Sequence, residues 1–144
     1  MSARLRRDFL HLASDMLTRL DEIAREVACV LARDVSRAAV VRAAVKAWLD
    51  VAESRSLDFM SQAIRAATKR PAAPFLRYPQ RWPAALYDRL DQFARSSTRA
   101  LACNVSRAAI VRVAVAVWLD AAGASPAVVT EAIRAALVPR GRKR

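Results

Sequence analysis

Two short segments alternate in character residue by residue: Arg7-Asp8-Phe9-Leu10-His11-Leu12 and Arg77-Tyr78-Pro79-Gln80-Arg81-Trp82. An extended chain sends successive side chains to opposite faces. Leu10 and Leu12 then share one face, and Arg7, Phe9 and His11 share the other. In the second segment Gln80 and Trp82 lie inward, with Arg77, Pro79 and Arg81 outward. The chemistry such an outward face offers is charge recognition rather than bond making. His11 is the single histidine, so neither a His-based nucleophile pairing nor a multi-histidine metal cluster can be built. Glycine occurs only at 123 and 141, which leaves no glycine-rich phosphate loop. Asp21, Asp50, Asp91 and Asp120 recur beside arginines, where solvated ion pairs are the ordinary outcome. The reading is a non-enzyme with no cofactor and no metal.

Charge names the class of partner. Lys plus Arg number 25 against 13 Asp plus Glu, a net charge of +12, with an isoelectric point near 11.4. Such an excess repels itself in a compact chain and suits an anionic partner: nucleic acid, a membrane surface or an acidic protein. Nucleic acid is the favoured one. No apolar run approaches the roughly 18 residues that span a bilayer. The basic N-terminus is followed by Asp8, His11 and Asp15, which break any signal-peptide core. The expectation is a cytoplasmic protein without a membrane partner. Cys29 and Cys103 align with Arg99 and Arg33 rather than with each other, which argues against a symmetric disulfide or metal site. Both are expected to be small buried hydrophobes.

The elements that would position the two segments are duplicated. Residues 35–50, Val-Ser-Arg-Ala-Ala-Val-Val-Arg through Trp48-Leu49-Asp50, return seventy positions later as residues 105–120, with 12 identities in 16. Each copy is too small to bury a generous core alone, so each half is expected to cover the apolar face of the other as a one-chain pseudo-dimer. Residues 1–70 form the first repeat, 71–74 a proline-containing linker, 75–138 the second repeat and 139–144 a basic tail. The two repeats make one compact domain.

Within each repeat the periodicity reads as a short strand and then helices. In the first, Ser14 or Asp15 caps a helix with Leu17, Leu20, Ile23, Ala24, Val27, Val30 and Leu31 on one face. Asp34 and its counterpart Asn104 are expected to supply the left-handed residue that ends it. Ser36 and Ser106 cap a second helix, whose stripe in the first copy is Val40, Val41, Ala44, Val45, Trp48 and Leu49. A third helix is expected over Ser56–Lys69 and Ser125–Leu137. The fold class is mainly α, with one short two-stranded antiparallel ribbon and an extra helix per repeat.

A strand, two helices and Val-Ser-Arg opening the second helix resemble the ribbon-helix-helix family, typified by the Arc and MetJ repressors. Arg81-Trp82-Pro83 is similar to the strand end of Arc. The resemblance covers residues 7–50 and 77–120. It implies a transcriptional regulator whose two paired strands enter the major groove of double-stranded DNA. It assigns base contacts to Arg7, Phe9, His11, Arg77, Pro79 and Arg81, with arginine forks suited to guanine O6 and N7. It assigns phosphate contacts to Ser36, Arg37, Ser106 and Arg107 at the second helices' N-termini. The fused arrangement also resembles, in architecture alone, the overdrive-binding virulence accessory proteins of T-DNA transfer on tumour-inducing plasmids. Repression and plasmid conjugation or transfer both stay open, as does higher assembly on DNA. The alternative is a protein-interaction module derived from the same fold, docking a partner through its third helices. Asp8 at a core position, Pro79 in a strand and a lengthened first helix depart from the family pattern.

Overall fold

The computed structural model describes residues 5–53 and 75–122, with 130, 131, 133 and 134; within these, the side chains at 5–9, 11, 75–78, 121 and 122 lie outside the description. The linker at 71–74, the basic tail and nearly all of both expected third helices also lie outside the described residues. Of the latter, Ile133 is fully buried.

Strand β1 (Leu5–Ala13) runs without a turn into helix α1 (Ser14–Leu31), followed by α2 (Arg37–Ala52). The order then repeats as β2 (Phe75–Pro83), α3 (Ala84–Leu101) and α4 (Arg107–Ala122). The two strands pair antiparallel in a two-stranded sheet. Phe9 pairs with Pro79, its own counterpart in the repeat, and the remaining pairs exchange about that point: Arg7 with Arg81, His11 with Arg77, Leu5 with Pro83. A local two-fold relation therefore passes through Phe9 and Pro79. Both strands of such a ribbon are edges, and alternate N–H groups point away from the partner, which is where proline is tolerated.

Leu10, Leu12, Gln80 and Trp82 are buried, whereas Pro79 and Arg81 are exposed, as the alternation predicted. The inner face of the ribbon joins a core formed by both repeats. α2 and α4 make the most extensive helix–helix interface. Val40, Val41, Ala44, Val45, Trp48 and Leu49 are all buried, and so are Ile110, Val111, Ala114, Val115, Trp118 and Leu119. Trp48 meets Phe93 edge to face at 5.4 Å between ring centres, joining α2 of one repeat to α3 of the other.

Polar ties across the repeats use equivalent residues. Arg19 of α1 donates to the Leu119 carbonyl near the end of α4, at 3.0 Å. Its counterpart Arg89 of α3 reaches Asp50 at 2.9 Å and Glu53 at 2.7 Å, at the end of α2. Both put a cation at a helix C-terminus, where the dipole favours it. Asp50 lies below the ordinary carboxylate value: burial acts to raise it, but hydrogen bonds from Arg89 and Lys46 prevail.

Four expectations need correction. Neither Ser14 nor Asp15 caps α1: the N-cap is Ala13, with no side-chain cap bond. The strand delivers the chain directly into the helix, so no turn precedes it, and Asp15 instead accepts from the Met16 amide at 3.0 Å. The left-handed residues are Ala32 (φ 54°) and Ala102 (φ 55°), not Asp34 or Asn104. This position costs an L-residue about 1–2 kcal/mol, and the Ala32 amide returns a bond to the Ala28 carbonyl. Val30 is 65 % exposed: it falls at the edge of the apolar stripe, while Leu31 in the same turn packs against the core. Cys29 beside it is exposed too, and Cys103 is half-buried, so neither is a fully buried hydrophobe.

Candidate nucleic-acid interface

The candidate interface has two parts, the outward face of the ribbon and the first turns of α2 and α4. The register places positions 7, 9, 11, 77, 79 and 81 on the face opposite Leu10, Leu12, Gln80 and Trp82. All six expected base-contacting positions thus come together along one side of the ribbon. The Arg7, Phe9, His11 and Arg77 side chains are among those outside the description, while Pro79 and Arg81 are exposed.

The second helices begin as their sequence predicts. Ser36 Oγ accepts from the Ala39 amide and Ser106 Oγ from the Ala109 amide, both at 3.1 Å. Each serine is exposed, and the first-turn amides of each helix have no intrahelical acceptor. Ribbon and helix start are physically linked in one place. Buried Gln80 donates through Nε2 to the Ala38 carbonyl in the first turn of α2, at 3.2 Å. Its counterpart in the first repeat is Leu10, so this tie is made by one strand only.

Arg37 and Arg107 are engaged inside the protein as well as placed at the helix starts. Arg37 forms a two-pronged pair with Asp21 on α1, at 2.8 and 2.6 Å. Arg107 bonds Asp91 on α3 at 2.9 Å and lies over the Tyr87 ring at 4.6 Å. Both arginines clamp the first turn of one helix to the body of the preceding one. The hydrogen bond from Arg37 holds the Asp21 carboxyl below the ordinary range against an opposing effect of burial.

The sign of the resulting pH dependence follows from that direction. A carboxylate with its folded pKa depressed stabilises the fold above its unfolded value and loses that contribution as pH falls through the folded one. With Asp21 and Asp50 both lowered from 3.8, stability is expected to hold from neutrality to about pH 4 and to decline below it. Asp21→Asn should flatten that acid limb in urea titrations at a series of pH values. An unchanged limb would remove Asp21 from the account.

No protein-family model, curated protein or solved structure matches this chain. The functional reading therefore stands on geometry and charge. Among the described residues no group of His, Cys, Asp and Glu could hold a metal ion, and no helix is long and apolar enough to cross a membrane.

Sequence reasoning missed the Asp21–Arg37 and Asp91–Arg107 clamps, although a signal was present. Both members recur at the same offset, sixteen residues apart in each repeat. A pair duplicated with its spacing intact is a candidate for contact. The cleft beside the second clamp was missed too. It is about 440 Å³ and lies between α3 and the start of α4, with Arg95, Arg99, Asn104, Ser106 and Arg107 among its walls.

Proposed function

We propose that this chain is a sequence-specific double-stranded DNA-binding protein of ribbon-helix-helix type, acting as a one-chain pseudo-dimer that inserts its ribbon into the major groove. The observation that carries the reading is the antiparallel register centred on Phe9 and Pro79, which pairs position 7 with Arg81 and position 11 with position 77, with Pro79 and Arg81 exposed. A two-stranded ribbon fits the width of the major groove, and arginine forks match the guanine edge there. The charge of +12 supplies the sequence-independent attraction to phosphates. The Ser36 and Ser106 ends fix the ribbon's depth by taking backbone phosphates.

The two strands differ in sequence, so the ribbon presents different side chains to its two half-sites. The favoured target is accordingly not a perfect palindrome, in contrast to a homodimer, which imposes its own symmetry on the site. The biological use is transcriptional repression or an accessory role in plasmid DNA transfer, carried out in the cytoplasm.

A second reading, a protein-interaction module on the same scaffold, is favoured by one observation. Arg37 and Arg107 are each held by a carboxylate, and an arginine already paired is a weaker phosphate ligand. Titration of duplex binding against salt separates the two. For the DNA-binding reading, the logarithm of affinity should fall linearly with the logarithm of salt, by about 0.9 per phosphate neutralised. Duplex binding that is absent or insensitive to salt would overturn that reading and leave the interaction module.

A further inference from the structure

The two halves differ in charge at the cleft between α3 and α4. Its rim carries Arg95, Arg99 and Arg107. The one carboxylate in its lining, Asp91, pairs with both Arg95 and Arg107 at 2.9 Å. Arg99 is exposed and has no carboxylate partner among the described residues. Three guanidinium groups therefore share a single carboxylate around a concavity large enough for a phosphodiester.

The matching positions in the first half carry different chemistry. Arg25 and Arg37 stand where Arg95 and Arg107 do, but Cys29 replaces Arg99 and Asp34 replaces Asn104. Three arginines, Arg25, Arg33 and Arg37, then stand against two carboxylates, Asp21 and Asp34. Glu22 and Glu26 add negative charge on α1 where α3 has Gln92 and Ser96. Arg33, at the counterpart of Cys103, has its Nε withdrawn from solvent. The first half is neutral to acidic where the second is cationic.

The wall of the second cleft is also held more firmly. Thr98 Oγ donates to the Val105 carbonyl at 3.1 Å and accepts from the Val105 amide at 3.0 Å, pinning the loop that precedes α4. Its counterpart, Ala28, has no hydroxyl with which to do this.

From this difference we propose that the cleft is a phosphodiester-binding site of the second half alone, with Arg99 and Arg95 as its principal ligands. Resting on the DNA-binding reading above, it makes the grip on the duplex lopsided. The backbone flanking the second half's end of the ribbon is held by the net positive charge of the cleft as well as by the helix start, and the backbone at the first half's end by the Ser36 helix start without that net charge. The lone pairs of the phosphate oxygens accept from the guanidinium groups, which stay charged at any working pH.

The test uses the full chain and a mixed-sequence duplex, with binding read by fluorescence anisotropy across a salt series. Arg99→Ala is expected to weaken binding equally for all sequences and to reduce the salt slope by about one. Arg99→Lys is expected to retain the slope, since charge and not fork geometry carries it. Cys29→Arg, which installs the missing cation in the first half, is expected to raise the slope by about one. Cys29→Ala is expected to leave it unchanged. A wild-type chain that binds with a slope Arg99→Ala and Arg95→Ala both leave intact overturns the cleft assignment and spares the ribbon reading. A wild-type chain that binds no duplex overturns both.

Discussion

Trp48→Ala is expected to lower the free energy of unfolding by about 3–5 kcal/mol, the usual cost of removing a buried tryptophan ring. Trp48 is 6 % exposed, and its ring joins α2 of the first repeat to α3 of the second. Its loss removes transfer energy and leaves a void between the halves. A domain of this size has only about 5–15 kcal/mol of net stability, so the variant should be marginal. Trp118→Ala should cost less, by about the 0.5–1.5 kcal/mol that an aromatic pair adds. The first half carries Ile23 at the counterpart of Phe93, so Trp118 has no equivalent ring there. Urea titrations followed by circular dichroism measure both, with the midpoint shifting and the slope unchanged for a simple loss of stability. A Trp48→Ala change within about 0.5 kcal/mol of wild type, the range of ordinary surface substitutions, would contradict a shared core.

Arg81→Ala is expected to flatten discrimination at one base pair of the target by about 1–3 kcal/mol, the value of a bidentate arginine–guanine contact. Arg81 is exposed and sits across the ribbon from Arg7. Its removal should leave folding stability within about 0.5 kcal/mol. The signature that separates it from Arg99→Ala is which sequences suffer. A base-edge contact is lost only on the preferred duplex, whereas a phosphate contact is lost on every duplex. Competition between the selected duplex and single-base variants, at fixed salt, gives the measurement. Equal loss on all variants would move Arg81 from base edge to backbone.

The parts of this fold that could be read from the chain are those fixed by period. Alternation at 10, 12, 80 and 82 separated the inner ribbon face from the outer one, and the stripe from Val40 to Leu49 identified the central helix. Ser36 and Ser106 were legible because a hydroxyl before an apolar helical run has one local use, and the Ala39 and Ala109 amides take it. What was not legible depends on contacts distant in sequence. Nothing local asks for the left-handed conformation at Ala32 and Ala102; alanine pays for it there because the next helix must turn back onto the core. Val30 matches the helical stripe yet is exposed, since periodicity does not say where the opposing surface stops. At the candidate interface, the exposure of Pro79 and Arg81 followed from alternation alone. That Arg37 and Arg107 would be drawn onto Asp21 and Asp91 depends on the angle at which consecutive helices pack.

That a ribbon built from the opening strand of each repeat reads the major groove can be checked by guanine N7 methylation interference. The duplex would be one selected from a random pool by the wild-type chain. The methyl group at N7 protrudes into the major groove and blocks an arginine fork without altering the phosphates. Methylation at guanines within a single major-groove segment is expected to abolish binding, in a pattern that differs between the two half-sites. Arg81→Ala should release the block at one of them. Binding that persists with every guanine N7 methylated would rule out reading of the major groove by the ribbon.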